Sequence, residues 1–131
     1  MTVSDAWPLQ QTVYSAVAGA MAAEGVEVFD HVPTNPPAEY VRLEGSNIDD
    51  NSWKDTERGR HSVVISAFTR PVGTAVSSVG QSRVKALCGL IHDAVKDLRH
   101  GKGRMQFEFM NVESDNDGVT SMGMLRYTII L

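Results

Sequence analysis

Gly59-Arg60-His61-Ser62-Val63-Val64-Ile65-Ser66-Ala67-Phe68-Thr69-Arg70 is the stretch from which the fold is read. β-Branched and aromatic residues crowd it, and alternation puts His61, Val63, Ile65 and Ala67 on one face and Ser62, Val64, Ser66 and Phe68 on the other. Both faces are partly apolar, which predicts an inner strand over Arg58 to Thr69 with sheet on each side of it. Upstream, Val26 to Val32 reads as a short strand that Pro33 ends, and Tyr40 to Gly45 as a second, across the extended link Thr34-Asn35-Pro36-Pro37. Ser46 to Asp55 is polar, acidic and without period, which predicts an exposed arm or loop.

Two helices frame these strands. Leu9, Val13, Val17 and Met21 recur at spacing four, Pro8 suits a first helical turn and Gly25 supplies a stop, so a helix is expected over about Pro8 to Ala23. After Pro71-Val72-Gly73, any of Thr74, Ser77 or Ser78 can cap a second helix, in which Val84, Leu87, Cys88, Ile91, Ala94, Val95 and Leu98 keep the i, i+3, i+4, i+7 pattern. That helix should end near Arg99, with His100 beside the negative end of its dipole and Gly101 and Gly103 as stops. Arg104 to Val112 and Val119 to Leu131 then form a terminal hairpin turning at Asp117-Gly118. In its first strand Met105, Phe107 and Phe109 share a face before Met110 and Val112 take the other, a change of phase that a β-bulge produces. The order α-β-β-β-α-β-β predicts an α+β fold: a mainly antiparallel sheet of about five strands with both helices on one face, in a single domain over residues 1–131.

Composition narrows the function classes. A charge of −4, from 12 Lys and Arg against 16 Asp and Glu, argues against a nucleic-acid binder. The single cysteine, Cys88, cannot form an internal disulfide, which fits synthesis in a cytoplasm. No apolar run reaches the roughly 18 residues of a membrane span, and Met1 to Asp5 has neither the basic region nor the apolar run of a signal peptide, so neither a membrane partner nor signal-directed export is expected.

No catalytic, cofactor or metal motif stands out. Asp30 and His31 are adjacent on a strand and point to opposite faces; His61 lacks a second ligand at metal spacing; His92 and His100 lie eight apart. All four histidines are read as hydrogen-bonded or solvated, and Cys88, on the apolar stripe, as a buried inert thiol. Gly101-Lys102-Gly103-Arg104 follows a helix instead of preceding one and so lacks a phosphate loop's helix N-terminus, and Asp115 to Gly118 reads as a turn. Trp53 is different: a large aromatic in the least structured stretch either folds over the sheet edge or anchors a protein contact. Asp49, Asp50, Asp55 and Glu57 around it, with Arg58 and Arg60 after it, make a strip of both signs suited to pairing with another copy, and these seven residues are the candidate interface.

The first helix, the Val28 to Val32 strand closed by Pro33, Tyr40-Val41-Arg42-Leu43 after its Pro-containing link, Gly59-Arg60-His61 leading to Phe68-Thr69-Arg70, the helix through Leu87 to Leu98 and the terminal hairpin together resemble the tail-completion proteins of long-tailed bacteriophages and gene transfer agents, the group to which tail terminators belong. The stretch Val72 to Gly80 is longer than that pattern. The resemblance implies a virion protein at the head-proximal end of the tail, made in a bacterial cytoplasm. It implies a homo-oligomeric ring, typically a hexamer, that caps the tail tube protein, stops its polymerisation and offers a surface to a head-side connector or stopper protein. DNA would pass through its lumen without tight binding, which the net negative charge suits. The resemblance carries over no active-site residue. A head-side connector ring, or a small hydrolase or ligand-binding domain using His61 and Asp30, are the other readings.

Overall fold

The computed structural model describes residues 3–45, 47–50, 52–53, 58–70, 81–114 and 119–131. A turn of 3-10 helix at Val3–Asp5 leads into α1 (Ala6–Ala22). Strands β1 (Glu27–Phe29), β2 (Glu39–Leu43), β3 (Asn47–Asp50) and β4 (Gly59–Thr69) follow, then α2 (Ser82–Val95). The chain closes with β5 (Arg99–His100), β6 (Gly103–Arg104), β7 (Gln106–Ser114) and β8 (Ser121–Ile130).

The expected class is correct, and the strand count is larger. The main sheet has six strands in the order β1-β2-β4-β8-β7, with β3 also on β4, and β5-β6 form a separate two-stranded sheet. Every pairing is antiparallel except β1 with β2. β4 is the inner strand that its two partly apolar faces imply, paired with β8 from Arg60↔Ile130 to Thr69↔Ser121. A β-bulge is present, but earlier than the phase change predicts: the β7–β8 register slips between Phe107 and Phe109, so Phe107 and Met110 share the face of Tyr127 and Leu125 while Phe109, expected beside Phe107, stands with Arg126 on the other.

Both helices lie on one face of the sheet. Leu9, Val13, Val17 and Met21 of α1 and Val84, Leu87, Cys88, Ile91 and Val95 of α2 are buried against Val28, Val41, Leu43, Ile65, Ala67, Leu125, Tyr127 and Ile129. Each such aliphatic side chain contributes about 1.5–3 kcal/mol of burial, which outweighs the modest helix propensity of the valines. α2 seats closely over β8 because Gly123 has no Cβ to meet Cys88 and Val84. Arg83 ties the layers together, donating to Glu39 at the start of β2 (2.8 Å) and to Glu24 in the α1–β1 turn (2.9 Å), where Gly25 takes a positive φ of 69°.

Three expectations need correction. Residues 47–50, expected in an exposed arm, form β3: β2 and β3 run end to end along one edge of β4, bridged by Glu44 N–H donating to Val64 O at 2.9 Å. The first strand is shorter than Val26 to Val32, because only Glu27–Phe29 finds a partner in β2. α2 stops at Val95 and not near Arg99, so His100 is no dipole cap; Gly101, at φ 58°, turns the β5–β6 hairpin instead of stopping the helix. The capping residues expected at Thr74, Ser77 or Ser78 and the turn at Asp115 to Gly118 lie outside the described residues.

Candidate functional site

The candidate strip surrounds the tip of the β3–β4 hairpin. Register places Asp49 opposite Arg60 and Asp50 opposite Gly59, so one of its opposite-sign pairs faces inward across the two strands of the same chain. Beyond them Asp50 accepts from the Ser52 side chain and from Ser52 N–H at 2.9 Å, bonds that together lower its carboxyl pKa, and Arg58 N–H donates to Ser52 Oγ at 3.2 Å. Trp53 stands 69% exposed on this tip and does not fold over the sheet edge. Asp55 and Glu57 lie outside the described residues. Five of the seven candidates are therefore brought together, on a braced hairpin end.

The chemistry-bearing side chains are scattered. Asp30 and His31 are both exposed beyond β1. His92 Nδ1 meets the Tyr127 hydroxyl at 2.8 Å, and His100 Nδ1 meets Thr12 Oγ1 at 3.4 Å. His61 departs from expectation: it is buried, with neither ring nitrogen hydrogen-bonded among the described residues, and burial pushes its pKa down. A neutral imidazole fits that apolar site because charging it there would forfeit its hydration. Burial pushes the Cys88 thiol up to about 11, far from nucleophile range. Among the described residues no three His, Cys, Asp or Glu side chains are placed to hold a metal, and no helix is long and apolar enough to cross a membrane.

Sequence reasoning missed the surfaces at the two ends of the sheet. α1, Ala6–Ala22, contains no charged residue, and its outer side presents Trp7 (59% exposed) and Tyr14 (42% exposed) over a groove continued by Val28, Phe29 and Asp30 of the β1 edge. At the other end β7 is exposed along nearly its whole length, with Phe107 (51%) and Met110 (47%) on the helix side of the sheet, opposite Tyr127 and Leu125. The signal was available in the absence of Asp, Glu, Lys and Arg from a 17-residue surface helix, since depletion of charge with enrichment of aromatics marks interface cores.

Exposed apolar surface at both ends of a sheet and a braced polar tip are features suited to contacts with other proteins. The chain belongs to the family of the tail completion protein gp17, which matches residues 9–131. It is therefore a structural, non-enzymatic protein of the phage-tail type and a virion component. A solved structure described as the virion of a native gene transfer agent (GTA) particle contains a chain similar to it, with a TM-score of 0.71 and 27% identity over 93% of this chain and 92% of that one. No curated protein matches the chain by sequence.

Proposed function

We propose that this protein terminates a tail tube: a ring of its copies, six by the family resemblance, sits on the last tube ring, stops polymerisation and presents a surface to the head-side connector. The observation that carries the reading is the end-to-end similarity to a chain of a GTA virion within a tail-completion family. The open sheet ends support it, because a subunit with different free surfaces on opposite sides makes head-to-tail contacts, and these close into rings when the rotation permits. The net charge of −4 suits a lumen through which DNA slides.

In particles assembled without the gene, tails of uncontrolled length that fail to join heads are expected, with rescue by the intact gene. Tails of normal length in its complete absence would refute termination. Normal-length tails that merely fail to join would place the ring on the head side. For the hairpin tip, Trp53→Ala should leave folding intact and weaken tail joining by an amount typical of an interface hot spot, about 2 kcal/mol or more. Wild-type joining yield with this variant would remove Trp53 as an anchor.

A further inference from the structure

The two uncovered surfaces fit each other. The helix layer is narrower than the sheet: two helices packed about 8–10 Å apart span roughly four strands at about 4.8 Å spacing, and the path β1-β2-β4-β8-β7 has five. α1 lies at the β1 end and α2 over β4 and β8, so β7 projects past α2, where Phe107 touches only the edge of the layer through His92 at 5.0 Å between ring centroids. Among the described residues no helix covers β7, and α1 of another molecule has the composition to do so.

We propose that copies of this chain join head to tail, with β1 of one copy continuing the sheet at the free edge of β7 of the next and the uncharged outer face of α1 covering the helix side of β7. This rests on the ring reading above and specifies its contact. Strand direction favours it. β7 runs with β4, and β1 runs with β2 against β4, so side-by-side repetition of the subunit brings β7 and β1 together antiparallel, the commoner pairing.

Register fixes the partners. Phe29, Arg42, Ser66, Met124 and Asn111 stand level across the sheet through successive pairs, so unsheared continuation places Val28 to Asp30 of one copy beside Val112 to Met110 of the next, and Glu27 opposite Glu113, a like-charge pair at the exposed end of the seam that opposes the contact and that water screens. Tyr14 shares its groove with Val28, Phe29 and Asp30, at the level of Met110. Ala6 and Leu9 pack at the level of Ser62, Val63 and Val64, and Val63 stands level with Tyr127 and Phe107, so Trp7 falls beside Phe107. The spacings are comparable: seven helical residues separate Trp7 from Tyr14, about 10 Å at 1.5 Å each, and with the bulge between them Phe107 and Met110 stand level with Tyr127 and Leu125, two strand residues or about 7 Å apart, a difference within the reach of aromatic side chains. A two-fold pairing of β7 with β7 would leave α1 and the β1 edge uncovered. The head-to-tail contact covers all of these at once.

The test is cross-linking of purified protein and of assembled particles with a short bismaleimide, using Tyr14→Cys, Met110→Cys and the double variant; both sites are exposed, and Cys88 is buried. The double variant should give a ladder of covalent multimers ending at the ring size, while each single variant stays monomeric. Dimers from Met110→Cys alone would mean two-fold edge pairing and overturn the proposal. So would a cross-link from either position to a different virion protein. Rings seen by mass measurement or imaging that yield no ladder would overturn this contact and leave the ring reading standing. Absence of rings both in solution and in wild-type particles would overturn both.

Discussion

Gly123→Ala tests the helix-to-sheet packing directly. The new Cβ would lie 2.5 Å from Cys88 Sγ, 3.2 Å from Val84 Cγ2 and 3.7 Å from Val112 Cγ2, where ordinary contacts begin at 3.4 Å. Only the last is comfortable, so Sγ must retreat by about 1 Å inside a packed core. Cys88 is 1% exposed and sits between Val84 and Ile91 on the buried stripe, so the strain passes to the α2 backbone. Overpacking of this kind costs about 1–3 kcal/mol, against which loss of glycine's unfolded-state freedom returns about 0.4–1 kcal/mol. The net expectation is a loss of about 1–2 kcal/mol by urea denaturation. Cys88→Ala removes the opposing atom, so Gly123→Ala in that background should cost much less, giving a coupling of about 1 kcal/mol or more. Wild-type stability for Gly123→Ala, or additivity of the two changes, would refute the close seating of α2 on β8.

Three further outcomes follow from single groups. The folded pKa of His61 is below its ordinary 6.5, so the unfolded chain binds the proton more readily; stability should be full above pH 6.5 and fall as pH drops below it, and a melting curve series with His61→Leu should show a weaker decline through that range. Arg83→Ala removes two partly buried ion pairs and should cost about 1–2 kcal/mol, read as a lowered urea midpoint; an unchanged midpoint would show the Glu24 and Glu39 bridges to be idle. Cys88, with its thiol pushed up to about 11, should resist a water-soluble thiol reagent until denaturant is added, and rapid native labelling would mean that α2 opens from the sheet.

What could be read from sequence were the elements whose own side chains dictate burial. β4, β8 and α2 have apolar periods matched to their faces, and a bulge in β7 showed as a change of phase, although the apolar side chains on both faces of that strand hid that it falls at Glu108 and not between Phe109 and Met110. β3 could not be read, because Asn47, Asp49 and Asp50 are poor strand formers: the segment is a strand by pairing with Gly59 to Ser62, a tertiary cause. The β5–β6 turn hid behind the ambiguity of Gly101, since a glycine at positive φ serves a helix stop and a hairpin equally. His61 fell outside the expectation for histidines because its place on the apolar face was right while its lack of a partner depends on which side chains other strands bring near. Trp53 was legible as an exposed aromatic, but its bracing through Asp50, Ser52 and Arg58 depends on the hairpin.

The interaction surfaces divide by direction. Along the sheet, at right angles to the strands, the helix-side surface at each end presents exposed aromatic and aliphatic side chains, Trp7 and Tyr14 on one side and Phe107 and Met110 on the other, while the sheet edges themselves carry Glu27 and Asp30 on one side and Glu108 and Glu113 on the other. Along the strands, the end that carries the hairpin tip is charged: Arg58, His100, Lys102, Arg104 and Asp5 line one cleft beside Ile130 and Leu131. Desolvating the uncharged outer face of α1 against Phe107 and Met110 costs little, so that helix-side surface suits permanent burial against an identical neighbour. A charged, solvated end suits a contact made later, by electrostatic steering, between finished assemblies. In the ring proposed above, built through the lateral contact, the strand ends would lie toward its two faces. The two kinds of variant should therefore separate: Trp53→Ala should leave ring mass unchanged and impair joining, whereas changes at Tyr14 or Met110 act on the ring itself. A Trp53→Ala protein that no longer forms rings would break this division and move the hairpin tip into the subunit contact.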